Sequence, residues 1–170
     1  MADNEFIFHD ITKKKHITGV NTKGKDTYII PKHVTTIGIK AFSGCTQLTH
    51  ITIPENVAII NSQAFMRLEM LHTVIFEKRT ILLEIKSYAF GHCPNLSYFQ
   101  SLGGDILLND FVFPATPLQY IKHKYITGKK TFTRDTNEEL DNNEEKNGDG
   151  NNEFNEEQYK KNIKNCCCIS

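Results

Sequence analysis

The 170-residue sequence contains no apolar run approaching the ~18–20 residues that span a bilayer, so no transmembrane helix is expected. Its first residues, Met1-Ala2-Asp3-Asn4-Glu5, are acidic and lack the basic and apolar regions of a secretory signal, so none is expected. Ala2 stands where N-myristoylation needs glycine. Five cysteines, two isolated and three consecutive, do not make a disulfide framework. No GxSxG, P-loop, HExxH or paired CxxC occurs. The histidines at 9, 16, 33, 50, 72, 92 and 123 show no metal-ligand spacing, and three adjacent cysteines cannot readily wrap one tetrahedral zinc. Gly103-Gly104-Asp105 reads as a turn rather than a phosphate cradle. Neither catalysis nor a cofactor or metal is expected.

Net charge is also lacking, with 20 basic and 20 acidic side chains, but the balance conceals three blocks. Residues 1–133 carry net +5, residues 134–158 net −8 and residues 159–170 net +3. In the acidic block the apolar residues are Leu140 and Phe154 alone. Such a segment buries too little surface to offset ~1–2 kcal/mol of backbone entropy per residue, so it is expected to be disordered. An ordered domain should therefore end near residue 132.

Within that domain the chain repeats itself. Ile30, Pro31, Val34, Ile37, Ala41, Phe42, Leu48 and Ile51 return 23 residues later as Ile53, Pro54, Val57, Ile60, Ala64, Phe65, Leu71 and Val74. A third copy is offset by 25: Ile85, Ala89, Phe90, Leu96 and Phe99. Its two extra residues fall at Lys78-Arg79-Thr80, where a loop can absorb them. One period supplies a short strand such as Leu48 to Pro54, a turn, and a compact Ala-Phe segment. Leu48, Ile51 and Ile53 are spaced for a strand with one buried face, and Pro54, having no N–H, ends it. A single unit cannot bury its apolar face, whereas stacked units share one core. The expected fold is a β-rich solenoid with short parallel strands on the concave face and turns or short helical segments on the convex side. Phe42, Phe65 and Phe90 should form one buried file of rings.

The IPxxVxxIGxxAFxxCxxL pattern resembles the BspA-like (Treponema-type) leucine-rich-repeat family. Residues 30–48 carry it almost ideally, 53–71 well and 76–96 loosely. The second copy departs with Ile60-Asn61 for Ile-Gly and Leu68 for Cys. The resemblance implies a curved, parallel-stranded solenoid without intrinsic catalysis, used for adhesion and protein binding.

This gives a division into an N-terminal cap at 1–24, about three repeats at 25–100, a C-terminal cap at 101–132, an acidic linker at 133–165 and a lipidation signal at 166–170. A hairpin of Phe6-Ile7-Phe8 with His16 to Val20, turning through Thr12 to Lys15, is expected in the first cap. In the second, Leu108 to Pro114 reads as another LxxIxIP strand in a truncated unit or cap, and Tyr120 to Thr127 as a last strand.

Cys45 and Cys93 share a repeat position that Leu68 fills between them, which marks an apolar core site. Two strands apart, at ~4.8 Å per strand, they are too distant for a disulfide, whose Cα separation stays below ~7 Å. Cys167-Cys168-Ile169-Ser170 instead has the C-a-a-X form, with Ser favouring a farnesyl group on Cys167. Processing would leave Cys166 for palmitoylation, and Lys160, Lys161 and Lys164 for ~1 kcal/mol each against an anionic leaflet. A tether of roughly 33 residues spans ~30 Å as an ideal coil.

The strand register predicts two outward rows on the concave sheet, Thr27-His50-Thr73-Tyr98 and Ile29-Thr52-Ile75-Gln100. They carry no fixed charge, which suits a protein or peptide better than nucleic acid, whose phosphates demand a Lys/Arg stripe. The expected protein is a monomeric, non-enzymatic interaction module, a prenyltransferase substrate tethered at the cytoplasmic face of the plasma membrane. The alternatives are a cell-surface adhesin of the BspA-like type exported without a signal peptide, and a cytosolic scaffold with an unmodified tail.

Overall fold

The computed structural model describes residues 6–8, 16–20, 24–121 and 125–134. The acidic block beyond Arg134, Lys160, Lys161, Lys164, Cys166, Cys167 and the Thr12 to Lys15 turn lie outside the described residues.

Among the described residues there are twelve strands and no helix. In chain order they are β1 (Phe6–Phe8), β2 (His16–Val20), β3 (Thr27–Ile29), β4 (Thr36–Ile37), β5 (His50–Ile53), β6 (Ile59–Ile60), β7 (Thr73–Phe76), β8 (Leu83–Ile85), β9 (Tyr98–Leu102), β10 (Ile106–Leu108), β11 (Tyr125–Ile126) and β12 (Lys129–Thr133). From β2 to β10 the chain alternates between two sheets, so each revolution lays one strand on each. One sheet has the order β1-β2-β4-β6-β8-β10-β11, the other β12-β9-β7-β5-β3. The inner pairings are parallel, and β1, β11 and β12 join antiparallel at the ends. The result is a solenoid of about four turns.

The period follows from the side chains that must line up. In the seven-stranded sheet Ile17, Ile37, Ile60, Ile85 and Leu108 stand in register. In the five-stranded sheet Tyr28, Ile51, Val74, Phe99 and Phe132 do the same. All ten are buried and form one core. Phe42, Phe65 and Phe90 make the expected file, with centroids 4.5 and 4.9 Å apart, and Phe113 extends it at 5.6 Å.

The Ala-Phe segments are turns stabilised by left-handed residues at fixed repeat positions. Lys40, Gln63, Tyr88 and Phe111 precede the Ala-Phe pair or its equivalent with φ of 55°, 62°, 61° and 57°. Gly44, Arg67, His92 and Ala115 follow it with φ of 92°, 61°, 56° and 54°. This double bend redirects the chain without a helical turn, so this side carries turns and strands of two to five residues among the described residues.

Two expectations at the C-terminal end are corrected. Leu108 to Phe113 does not repeat the LxxIxIP strand; it repeats Ile85 to Phe90 at an offset of 23, with Val112 and Phe113 in the places of Ala89 and Phe90. The cue was misread because Val-Phe-Pro imitates Ile-x-Ile-Pro in hydropathy. The last strand is shorter than Tyr120 to Thr127, covering Tyr125–Ile126, and a further strand, β12, closes the five-stranded sheet. At the other end β1 pairs with β2 as expected, and β2 is also the first parallel rung.

The inserted Lys78-Arg79-Thr80 loop is less passive than the sequence implies. Arg79 is 3% exposed and its Nη1 donates to the Val57 carbonyl at 3.0 Å, while Nε and Nη2 are buried without a partner. Burial pulls its pKa down to about 10, against the opposing charge of Glu77. The guanidinium also lies 5.5 Å from the Phe76 ring centroid.

Candidate functional site

The outer face of the five-stranded sheet follows from the register of its core. Since Tyr28, Ile51, Val74 and Phe99 point inward, the residues on either side of each point outward. Thr27, His50, Thr73 and Tyr98 are successive cross-strand partners, and Thr133 of β12 continues their row. Ile29, Thr52, Ile75 and Gln100 form the second row, continued by Thr131. The structure thus brings all eight sequence-derived residues onto one face, in the two rows expected.

They are not equally accessible. Thr27, His50 and Ile29 are exposed, Ile29 to 71%. Thr52, Ile75, Tyr98 and Gln100 are half-buried. Thr73 is only 8% exposed; it lies between His50 and Tyr98 in its row, and His72 Nδ1 is 3.0 Å from its hydroxyl. Thr73 therefore supports the face more than it presents a contact.

A polar border runs along the start of the strands. Thr49 donates its hydroxyl to the Asp26 carbonyl at 2.9 Å, so the 2.8 Å contact between its Oγ1 and His50 Nδ1 is a bond donated by the imidazole. His72 Nε2 meets Ser97 Oγ at 2.9 Å, and the His50 and His72 rings lie 6.2 Å apart. The Thr49–Asp26 and His72–Ser97 bonds cross from turn to turn, and His50 is tied to the first of them through Thr49. At the far side Gln100 Nε2 donates to Thr131 Oγ1 at 3.2 Å, tying the second row to β12.

The face combines fixed apolar side chains at Ile29 and Ile75, an aromatic at Tyr98 and imidazole, amide and hydroxyl groups between them. It can make apolar contact and short-range hydrogen bonds, and none of its eight side chains bears a fixed charge. Among the described residues no group of three or more His, Cys, Asp or Glu is placed to hold a metal ion. No described helix is long and apolar enough to cross a membrane.

Cys45 and Cys93 are both buried free thiols. Burial pushes Cys45 up to about 12, and Cys93 up to about 11, where backbone hydrogen bonds near Arg67 and Leu68 work in the opposite direction. Cys93 Sγ donates to the Phe65 carbonyl at 3.1 Å. They are packing groups, as the shared position with Leu68 implies.

Sequence reasoning overlooked the exposed aromatic residues at the C-terminal end: Tyr88, Phe111 and Tyr120, exposed to 40%, 70% and 61%. Aligning 108–113 under 85–90 would have placed Phe111 in the same file as Tyr88.

Comparison with known proteins agrees with this architecture. The family description of the BspA type leucine-rich repeat region matches residues 21–138, in six copies. No curated protein and no solved structure matches the chain.

Proposed function

The chain belongs to the BspA-type leucine-rich-repeat family, and from that premise we propose a non-enzymatic protein-binding module that engages a protein or peptide partner through the outer face of the five-stranded sheet. The observation that carries this reading is the pair of in-register rows without fixed charge, ending in the exposed Ile29 at one edge and tied to β12 at the other. A solenoid presents such rows on a rigid frame, so a partner loses little affinity to ordering this side. Substituting Ile75 by Asp places a charge in the centre of the face without touching the core. It should abolish partner binding while the unfolding midpoint moves little; retained binding would overturn the assignment of this face.

In the same proposal the domain is held at the cytoplasmic face of the plasma membrane by a prenyl group on Cys167, reinforced by acylation of Cys166 and by Lys160, Lys161 and Lys164. The support is the C-a-a-X form of Cys167-Cys168-Ile169-Ser170 with basic residues before it. A single lipid gives reversible attachment, so both signals are needed for a stable anchor. Cys167→Ser should move the protein from the membrane to the soluble fraction. Unchanged partitioning would remove the tether, and digestion of the domain by protease added to intact cells would favour a surface adhesin instead.

A further inference from the structure

Successive turns of the solenoid are joined at the Ala-Phe corner by hydrogen bonds that run in one direction. Phe42 N–H donates to the Ala64 carbonyl at 2.9 Å, Phe65 N–H to Ala89 at 2.8 Å, and Phe90 N–H to Val112 at 3.0 Å. Beside this file, Tyr88 N–H donates to Phe111 at 2.7 Å, while Arg67 and His92 N–H donate to Gly91 and Pro114 at 2.9 and 2.8 Å. Every acceptor belongs to the next turn. The next donors in these files are Phe111, Phe113 and Ala115, and none of them has a protein acceptor among the described residues. They repeat, one turn on, the Tyr88, Phe90 and His92 donors, whose acceptors are the carbonyls of Phe111, Val112 and Pro114 in a turn with left-handed residues at 111 and 115.

The space on that side is a cavity of about 450 Å³, walled by residues 108–115 on one side and 119–121 on the other. Phe111 and Tyr120 stand at it with most of their rings in solvent, and Tyr88 stacks behind Phe111 at 6.2 Å. Lys40 and Gln63 occupy the same repeat position in the first two turns, so the fold itself does not require an aromatic there. Among the described residues Asp110 is the one charged residue lining this cavity; it is exposed and makes no ion pair with another described residue.

We propose that this cavity binds a basic, turn-forming segment of a partner protein, which takes the place of the missing next turn. Its carbonyl oxygens accept from the Phe111, Phe113 and Ala115 N–H groups, and a Lys or Arg side chain packs on the Phe111 and Tyr120 rings beside Asp110. The equivalent donors Tyr88, Phe90 and His92 are met by carbonyls of a turn, so the three open donors call for a turn of the same form, and a cation satisfies the aromatic faces and the carboxylate together. This site lies away from the outer face of the five-stranded sheet and stands independently of that assignment.

The test is a titration of the ¹⁵N-labelled full chain with an acetylated, amidated peptide of the sequence of residues 37–43, Ile-Gly-Ile-Lys-Ala-Phe-Ser, which supplies a Lys within a turn-forming backbone. Saturable downfield shifts are expected at the Phe111, Phe113 and Ala115 amides. Phe111→Ala and Asp110→Asn should each weaken binding about tenfold, equal to 1.4 kcal/mol, while Tyr98→Ala leaves it unchanged. Phe111 and Asp110 are exposed and Tyr98 is half-buried, and an unchanged unfolding midpoint verifies that each variant is folded. Absence of saturable shifts up to about 1 mM peptide, an affinity worth about −4 kcal/mol, would overturn the proposal, as would shifts indifferent to both cavity variants. Shifts of the same amides on raising the protein concentration alone would assign the cavity to a second copy, which also overturns it.

Discussion

Phe65 and Phe90 lie 25 residues apart in sequence, yet their rings are 4.9 Å apart between centroids and 3° from parallel. The two extra residues of the third repeat leave this stacking undisturbed, because the Lys78 to Leu82 segment absorbs them between β7 and β8. Phe65 is also stacked on Phe42, so it is enclosed from both neighbouring turns. Phe65→Ala should destabilise the domain by about 3–5 kcal/mol, the range for deleting a buried aromatic. Urea denaturation monitored by circular dichroism reads this as a lower midpoint; a loss below about 1 kcal/mol would show that the file is not a core element.

The left-handed positions make a prediction of the opposite sign. Arg67 and His92 sit at φ of 61° and 56°, where Gly44 stands in the first turn. The left-handed conformation costs a non-glycine residue ~1–2 kcal/mol, and glycine gives back part of this through its greater unfolded-state entropy. Arg67→Gly and His92→Gly should therefore each raise stability by about 0.5–1 kcal/mol. Arg67→Val should lower it, since a β-branched residue tolerates this region worst.

Titration of the buried thiols should be visible in the alkaline limb of stability. Cys45 and Cys93 have folded pKa values of about 12 and about 11, against an ordinary 9.0. Because the folded state holds these protons more tightly, their contribution is complete below pH 9 and is lost progressively as pH rises toward 11–12. The unfolding midpoint should fall over that window, and Cys45→Ala should make the fall shallower. Iodoacetamide at pH 8 should leave both thiols unmodified in the folded protein, as mapped by peptide mass spectrometry.

Arg79 and Gly104 form a second testable pair. A Cβ at Gly104 would come within 2.4 Å of the Arg79 carbonyl oxygen and of its Cγ, at a backbone φ of +93°. Gly104→Ala should cost at least ~2 kcal/mol from strain and clash together. Arg79→Met keeps the aliphatic filling and removes two buried N–H sites without partners. It also takes the Nη1 donor from the Val57 carbonyl, so the two effects oppose each other and the net change should stay within about 1 kcal/mol. A large destabilisation of Arg79→Met would mean that the guanidinium itself holds the loop.

How much of this was legible depends on which force set each feature. The Phe file, the inward rows and the outward rows were readable because burial imposes a strict period on Ile51, Val74 and Phe99. The same logic reached Cys45 and Cys93 through Leu68. The fourth turn was misassigned because Val112 replaces the alanine that marks the corner, and Pro114 gave a false strand ending. Arg79 was invisible for a different reason: a buried guanidinium contradicts the ordinary rule for charge, and only the space opened by a two-residue insertion beside Gly104 permits it. Thr73 falls in the outer row by register, but its low exposure depends on the side chains around it, which periodicity does not carry.

The central claim, that the outer face of the five-stranded sheet is where this protein meets its partner, is tested most directly by site-specific photocrosslinking in the cells that produce it. A photoreactive benzoyl-phenylalanine at position 98 should yield one discrete adduct, and Ile75→Asp in the same chain should eliminate it. The same probe at Glu55, an exposed turn residue off this face, should yield none. Equal adducts from positions 98 and 55, or an adduct at 98 that survives Ile75→Asp, would contradict the account.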